Sequence, residues 1–176
     1  MNKNTLIQTM LTVLILLGSG CVGIPEDVEP VENFDLHRYL GRWYEIARLD
    51  HSFERGLSRV TAVYSMRDDG GVKVINRGYS ETTNRWEEAE GRAYFVEGSD
   101  IGYLKVSFFG PFYGAYVIFE LDHQNYQYSL VSGPDKSYLW LLARSPHINE
   151  DIKEKLIAKA TALGFDTDKL IYPEHD

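Results

Sequence analysis

Gly41-Arg42-Trp43-Tyr44-Glu45-Ile46-Ala47-Arg48 opens a strand-rich region that Leu142-Ala143-Arg144 closes near the far end of the chain. Alternating apolar and polar residues predict eight strands, over 43–49, 60–66, 72–79, 86–96, 103–109, 116–121, 126–131 and 138–143. Asp69-Gly70 is a strong tight-turn signal, and Gly110-Pro111 and Gly133-Pro134 break later runs. Short strands with regular turn signals mean a sandwich or a barrel. The even count and hairpin-style connections favour an all-β chain, an eight-stranded antiparallel up-and-down β-barrel. Its first strand must meet its last, and something must plug its bottom. The Trp43 indole, covered by the Arg144 guanidinium, would do both. A barrel of this size has room for one small apolar ligand, so carriage is expected rather than chemistry.

The flanks of this region change character. Residues 34–40 read as a short helical turn with Leu36, Tyr39 and Leu40 apolar, leading straight into Gly41. Ser145-Pro146 stops the last strand, and Asn149 can cap a helix through residue 163, with Glu150 and Asp151 in its first turn. Ile152, Leu156, Ala160 and Leu163 form one apolar stripe with Ile157 beside it, and Gly164 ends the helix. Such a helix should pack on the outside of the barrel. Residues 169–172 read as a final extended segment.

The N-terminus is an address. Lys3, an apolar stretch over 6–17 and the small residues Gly18-Ser19-Gly20 read as an export signal over 1–20, too short to span a bilayer. Cys21 is the one cysteine of the chain, so no intrachain disulfide is possible. Its place just after the small residues resembles a bacterial lipoprotein cleavage site, although Gly18 replaces the usual aliphatic residue. Acyl chains such as palmitate on that thiol would anchor the chain without a spanning helix. Residues 21–32, the modified cysteine and a stretch with two prolines and four acidic residues, read as a flexible tether. The domain proper is expected over 33–176.

Without its first 20 residues the chain carries 17 Lys and Arg against 26 Asp and Glu. An acidic surface repels phosphate backbones, which argues against nucleic acid as a partner. Five histidines lie singly with no metal-ligand spacing, and no cofactor motif appears. No Gly-x-Ser-x-Gly elbow is present, and the adjacent pairs Asp68-Asp69 and Glu87-Glu88 are poorly placed for acid–base work.

The motifs together resemble the lipocalin family, and closely its bacterial outer-membrane lipoprotein branch. Asn33-Phe34-Asp35 through Arg48 looks like the family's first block, Gly133-Pro134-Asp135-Lys136-Ser137-Tyr138 stands at its second, and Leu142-Ala143-Arg144 matches the third. Residues 105–113 resemble the bacterial branch further, and Val22 after Cys21 fits its outer-membrane sorting pattern. The second block departs from the usual Thr-Asp start, with Gly-Pro-Asp instead.

Alternate residues of each strand should face the interior. The candidate rows are Tyr138, Trp140 and Leu142; Leu104, Val106 and Phe108; Val60, Ala62, Tyr64 and Met66; and Val72, Val74 and Asn76. The resemblance implies that Tyr64, Asn76, Phe108 and Trp140 line a ligand pocket, with Tyr64, Asn76 and Tyr113 as candidates for the head group. Gly41, Trp43 and Arg144 are expected to close the barrel. Glu45 shares parity with Trp43 and would need a partner inside. Residues 108–116 are rich in aromatics, which could line the mouth, touch a membrane or form a homodimer contact. The expected function is a lipid-anchored outer-membrane protein that stores or carries a fatty acid or lysophospholipid. The rival is an enzyme, a lipid isomerase or epoxidase, using the same cavity. A third possibility is a structural lipoprotein with a filled interior.

Overall fold

Eight antiparallel strands close into a barrel in simple sequence order, each paired with its neighbour and the first with the last. In the computed structural model, which describes residues 22–175, they are β1 (Gly41–Arg48), β2 (Leu57–Met66), β3 (Val72–Ser80), β4 (Arg85–Phe95), β5 (Tyr103–Ser107), β6 (Gly114–Leu121), β7 (Tyr128–Ser132) and β8 (Leu139–Ala143). The expected strands are all present, with edges moved by a few residues. The signal segment and Cys21 lie outside the described residues.

Two apolar cores share the barrel wall. The inner one fills the closed end, where Trp43, Tyr64, Val72, Leu104, Ile118 and Leu142 meet Phe34 and Tyr39. Phe34 and Tyr39 come from the short helix α1 (Leu36–Tyr39) and its lead-in, which plug that end. Asp35 caps α1 through a hydrogen bond from the His37 N–H. The outer core lies on the far face of β1 and β6–β8, where Phe119, Leu130, Leu141 and Ala143 meet the helix α2 (Glu150–Ala162). Asn149 caps α2, and its apolar stripe turns Leu156 and Ala160 into the protein.

The tether expected over 22–32 needs correction. Val28 is buried, and Ile24 packs against the outer core. The Val31 N–H donates to Ile118 O, and Val31 O accepts from the Gly102 N–H. The apolar residues between the prolines have bare barrel wall to cover, so this stretch lies along β5 and β6. The C-terminal segment also returns: a 3-10 turn at Thr167–Lys169 leads to a bridge between Ile171 and Arg48.

β1 contains one irregularity that matters for the interior. Glu45 stands opposite Leu142, but Ala47 stands opposite Leu141 and Arg48 opposite Trp140. Ile46 is therefore an extra residue, and this bulge brings Glu45 and Arg48 to the same side of the strand.

Candidate ligand-binding cavity

The closed end is sealed by a stack. The Trp43 side chain has no exposed surface, and its indole N–H donates to Tyr39 O at 2.8 Å. The Arg144 guanidinium lies 4.1 Å from the indole centroid. It donates to the carbonyls of Arg42 at 2.9 Å and Arg38 at 2.6 Å, and through Nε to that of Tyr126 at 3.2 Å. The cation therefore satisfies three backbone carbonyls while covering the ring. Gly41 has φ +95°, and a Cβ there would come within 3.3 Å of Arg144 Nη1. Only glycine suits both the backbone and the space.

Above the stack, three phenols form the floor. Tyr116 Oη lies 2.7 Å from Tyr64 Oη and 2.9 Å from Tyr39 Oη, and Tyr39 Oη reaches Ser129 Oγ at 3.2 Å. Burial pushes the Tyr39 phenol up to about 12 and raises Tyr64 and Tyr116 well above their ordinary range. All three stay neutral, so the floor is polar but uncharged.

From this floor a cavity of about 510 Å³ rises to the opposite end. Val60, Ala62, Val74, Leu104, Val106 and Leu142 make its apolar wall. The open end is framed by the loops 49–56, 81–84, 108–113 and 133–138. Phe109 and Phe112 stand 78% and 67% exposed there, and Phe53 is 55% exposed.

Tyr64, Asn76, Phe108 and Trp140 all line this cavity. They do not share one depth: Tyr64 belongs to the floor, Asn76 to mid-wall, and Phe108 and Trp140 to the upper part. Tyr113 is placed elsewhere, which corrects its candidacy. Its hydroxyl accepts from Arg92 Nε at 3.0 Å and its ring receives Lys105 Nζ at 5.2 Å. Both bases are on the outer faces of β4 and β5, and they hold the phenol outside the wall. Met66, expected inward, is 45% exposed just past the end of the inner core.

The wall carries a polar cluster that strand alternation alone does not reveal. Glu45 and Glu54 are 3% and 5% exposed, and both line the cavity. Arg48, brought inward by the bulge, forms a buried ion pair with Glu45 and donates to Glu54 O at 2.8 Å. The Trp140 indole N–H donates to Glu54 Oε2 at 3.0 Å. Burial, and then the nearby Glu54 charge, raise the Glu45 carboxyl well above its usual range despite Arg48. Burial raises Glu54 as well, against the pull of Trp140 and Arg48. His51 stacks on Phe53 at 4.1 Å and packs against Trp140 at 4.9 Å. Its Nε2 lies 3.3 Å from Glu54 Oε2, but neither ring nitrogen makes an aligned hydrogen bond. Burial, followed by Arg48, pulls this imidazole down to about 4, so it is neutral at pH 7. No sequence signal marks Arg48, His51 and Glu54 as one group: they converge only because loop 49–56 folds back over β8.

The geometry agrees with the comparisons. The model of the lipocalin-like domain matches residues 34–175. The chain is 61% identical to the outer membrane lipoprotein Blc of Vibrio cholerae over 162 residues, covering 92% of this chain and 95% of that protein. It is 54% identical to outer membrane lipoprotein Blc of Escherichia coli over 148 residues, covering 84% and 83%. Among solved structures, insecticyanin from the tobacco hornworm Manduca sexta superposes with a TM-score of 0.69 at 23% identity, over 88% of this chain and 87% of that one. That likeness speaks for the fold alone.

Proposed function

The chain belongs to the lipocalin family, and on that premise we propose that its cavity stores or carries a single-chain lipid, a fatty acid or a lysophospholipid. Lipocalins bind small hydrophobic ligands, and this chain shares the outer-membrane location of the lipoproteins it matches at 54–61% identity. The observation that carries the reading is the cavity itself: about 510 Å³, walled by apolar side chains and open at one end. Each buried CH₂ is worth about 0.8 kcal/mol, so affinity should grow with chain length until the phenol floor stops it. The head group then stays in the upper half, near Trp140 and loop 49–56. Exposed Phe109 and Phe112 at the rim favour loading from a lipid surface.

Cys21 is proposed as the acylated residue that holds the protein to the membrane. Metabolic labelling with palmitate should tag the wild type and not Cys21→Ser.

The function is tested by native mass spectrometry of the non-acylated protein purified from cells, with fluorescent fatty-acid titration beside it. A co-purified single-chain lipid and saturable one-to-one binding are expected. A protein that retains nothing and binds no chain would end the reading, and conversion of a lipid extract into new species would turn it toward an enzyme.

A further inference from the structure

The outer edge of the barrel along β5 carries a strip unlike the rest of this acidic protein. Tyr103 and Lys105 share the outward parity of β5, and the strand runs straight into loop 108–113. Arg92, opposite Ser107 on β4, turns the same way. Arg92 is exposed and Lys105 half-buried, and they flank one phenol: Arg92 Nε donates to Tyr113 Oη at 3.0 Å, and Lys105 Nζ lies 5.2 Å from the Tyr113 ring centroid. Neither cation forms an ion pair with a carboxylate among the described residues. Loop 108–113 reads Phe-Phe-Gly-Pro-Phe-Tyr, with no charge, and leaves Phe109 and Phe112 in solvent. At the other end of β5 the Tyr103 hydroxyl donates to Val22 O. Cys21, the proposed acylation site, is joined directly to Val22, and residues 22–32 lie on the barrel wall. Tyr103 and Phe109 stand six residues apart, about 20 Å of extended chain. One strand therefore has the anchor beside one end, two exposed phenylalanines beyond the other and two cations between.

We propose that Arg92, Lys105, Phe109, Phe112 and Tyr113 form a docking surface for a bilayer containing anionic phospholipid. The barrel then lies on its β4–β5 edge, with one lip of the mouth in the membrane surface, instead of hanging free from Cys21. The inference rests on the reading that the protein is lipid-anchored and takes its ligand from a membrane. The phenylalanines leave water by entering the acyl boundary, the phenol suits the interface, and the two cations reach the phosphates. The acidic surface elsewhere does not cancel this attraction. At physiological salt, charges more than about 8 Å away are screened, whereas Arg92 and Lys105 are in contact. A second copy of the chain is the poorer occupant. A two-fold contact through the strip would oppose two pairs of cations, with no carboxylate in the strip to meet them. Docking on this edge also sets Phe109 and Phe112 in the bilayer beside Phe108, which lines the cavity. An acyl chain would pass from membrane to cavity along apolar surface.

The test separates docking from anchoring. The non-acylated protein is cosedimented at about 0.1 M salt with vesicles of phosphatidylcholine, alone or mixed with phosphatidylglycerol. Phosphatidylglycerol should tighten binding, and about 1 M salt, where the Debye length is about 3 Å, should remove the gain. Arg92→Gln and Lys105→Gln should each lose about fivefold on the mixed vesicles, the worth of one cation at an anionic surface, and should not change on phosphatidylcholine. Phe112→Ser should lose roughly tenfold on both. All three variants should keep the wild-type affinity for a fluorescent fatty acid in solution. In the acylated protein an added cysteine is the one free thiol, because Cys21 is the chain's sole cysteine. On the mixed vesicles a fluorophore on Phe112→Cys should be shielded from aqueous iodide, and one on Phe53→Cys, across the mouth in loop 49–56, should stay open to it. Absence of vesicle binding, cation variants that bind like the wild type, or equal shielding of the two labels overturns the proposal. So does a strip variant that converts a dimer into a monomer in sedimentation equilibrium without vesicles, which would assign the strip to a second copy. A wild type that docks in this way but binds no fatty acid would end the carrier reading and keep the docking surface.

Discussion

At the closed end, Trp43, Arg144 and the three phenols meet almost every polar requirement among themselves: the guanidinium serves three carbonyls, and the hydroxyls bond to one another. In the upper half, among the described residues, His51 has no aligned partner and Asn76 Oδ1 has no donor, while the Glu54 carboxylate is met by the uncharged Trp140 N–H. Three phenylalanines, Phe53, Phe109 and Phe112, are also open to solvent at that rim. Saturated polar groups hold a fold together, whereas unsaturated ones keep free energy in reserve for something that arrives later. The contrast separates the part that makes the barrel from the part that uses it.

The sharpest way to break the contrast is at the floor. Trp43→Ala should cost about 3–5 kcal/mol in urea unfolding, as expected for a fully buried indole. A loss under about 1 kcal/mol would mean the plug does not hold the barrel.

Arg48→Met comes next and should depend on pH. It strands the buried carboxyl of Glu45, which costs about 3–5 kcal/mol while that group is ionised. Protonation removes the stranded charge, so the loss should be largest near pH 8 and shrink by pH 5. A loss independent of pH would point to packing instead.

Trp140→Ala acts on the upper half alone. It should weaken binding of a fluorescent fatty acid by about tenfold or more while the barrel keeps its far-ultraviolet dichroism, because the indole both lines the cavity and fixes Glu54. Unchanged affinity would place the ligand elsewhere.

The titrating groups of the upper half pull stability in opposite directions. Glu45 and Glu54 keep a proton in the fold that the unfolded chain releases above about 4.5, so their contribution is whole below that pH and fades as pH rises. His51, pulled from 6.5 to about 4, is held neutral by the fold, so its contribution is lost as pH falls through that window. His51→Asn should therefore flatten the loss of stability on acidification from pH 6.5 to 4, read from urea midpoints. The smallest effect is expected for Tyr64→Phe, which removes one link of the phenol chain and costs about 1 kcal/mol.

How much of this could be read from residues alone follows the same division. Trp43 and Arg144 stand at the two ends of the strand region, and closing a sheet brings such ends together, so their stack was legible. The rows of Val72, Val74 and Asn76, or Leu104, Val106 and Phe108, reach the cavity because alternation is regular there. It fails at β1, where one extra residue turns Arg48 inward, and a bulge has no signature in a single sequence. Tyr113 was misplaced because side-chain attraction to Arg92 and Lys105, not strand parity, decides its direction. The stretch 22–32 looked like a tether because its prolines and charges are visible in the sequence, whereas the wall that its valines cover is not.

What the sequence determined by itself was the order of strands, their inward rows, the capped outer helix and the pairing of an indole with a distant guanidinium, because these follow from local period and chain closure. What only the tertiary structure decided was the chemistry of the upper half. Whether a buried carboxylate has its counter-ion depends on a register shift in one strand and on where loop 49–56 comes to rest, and neither is a local property of the chain.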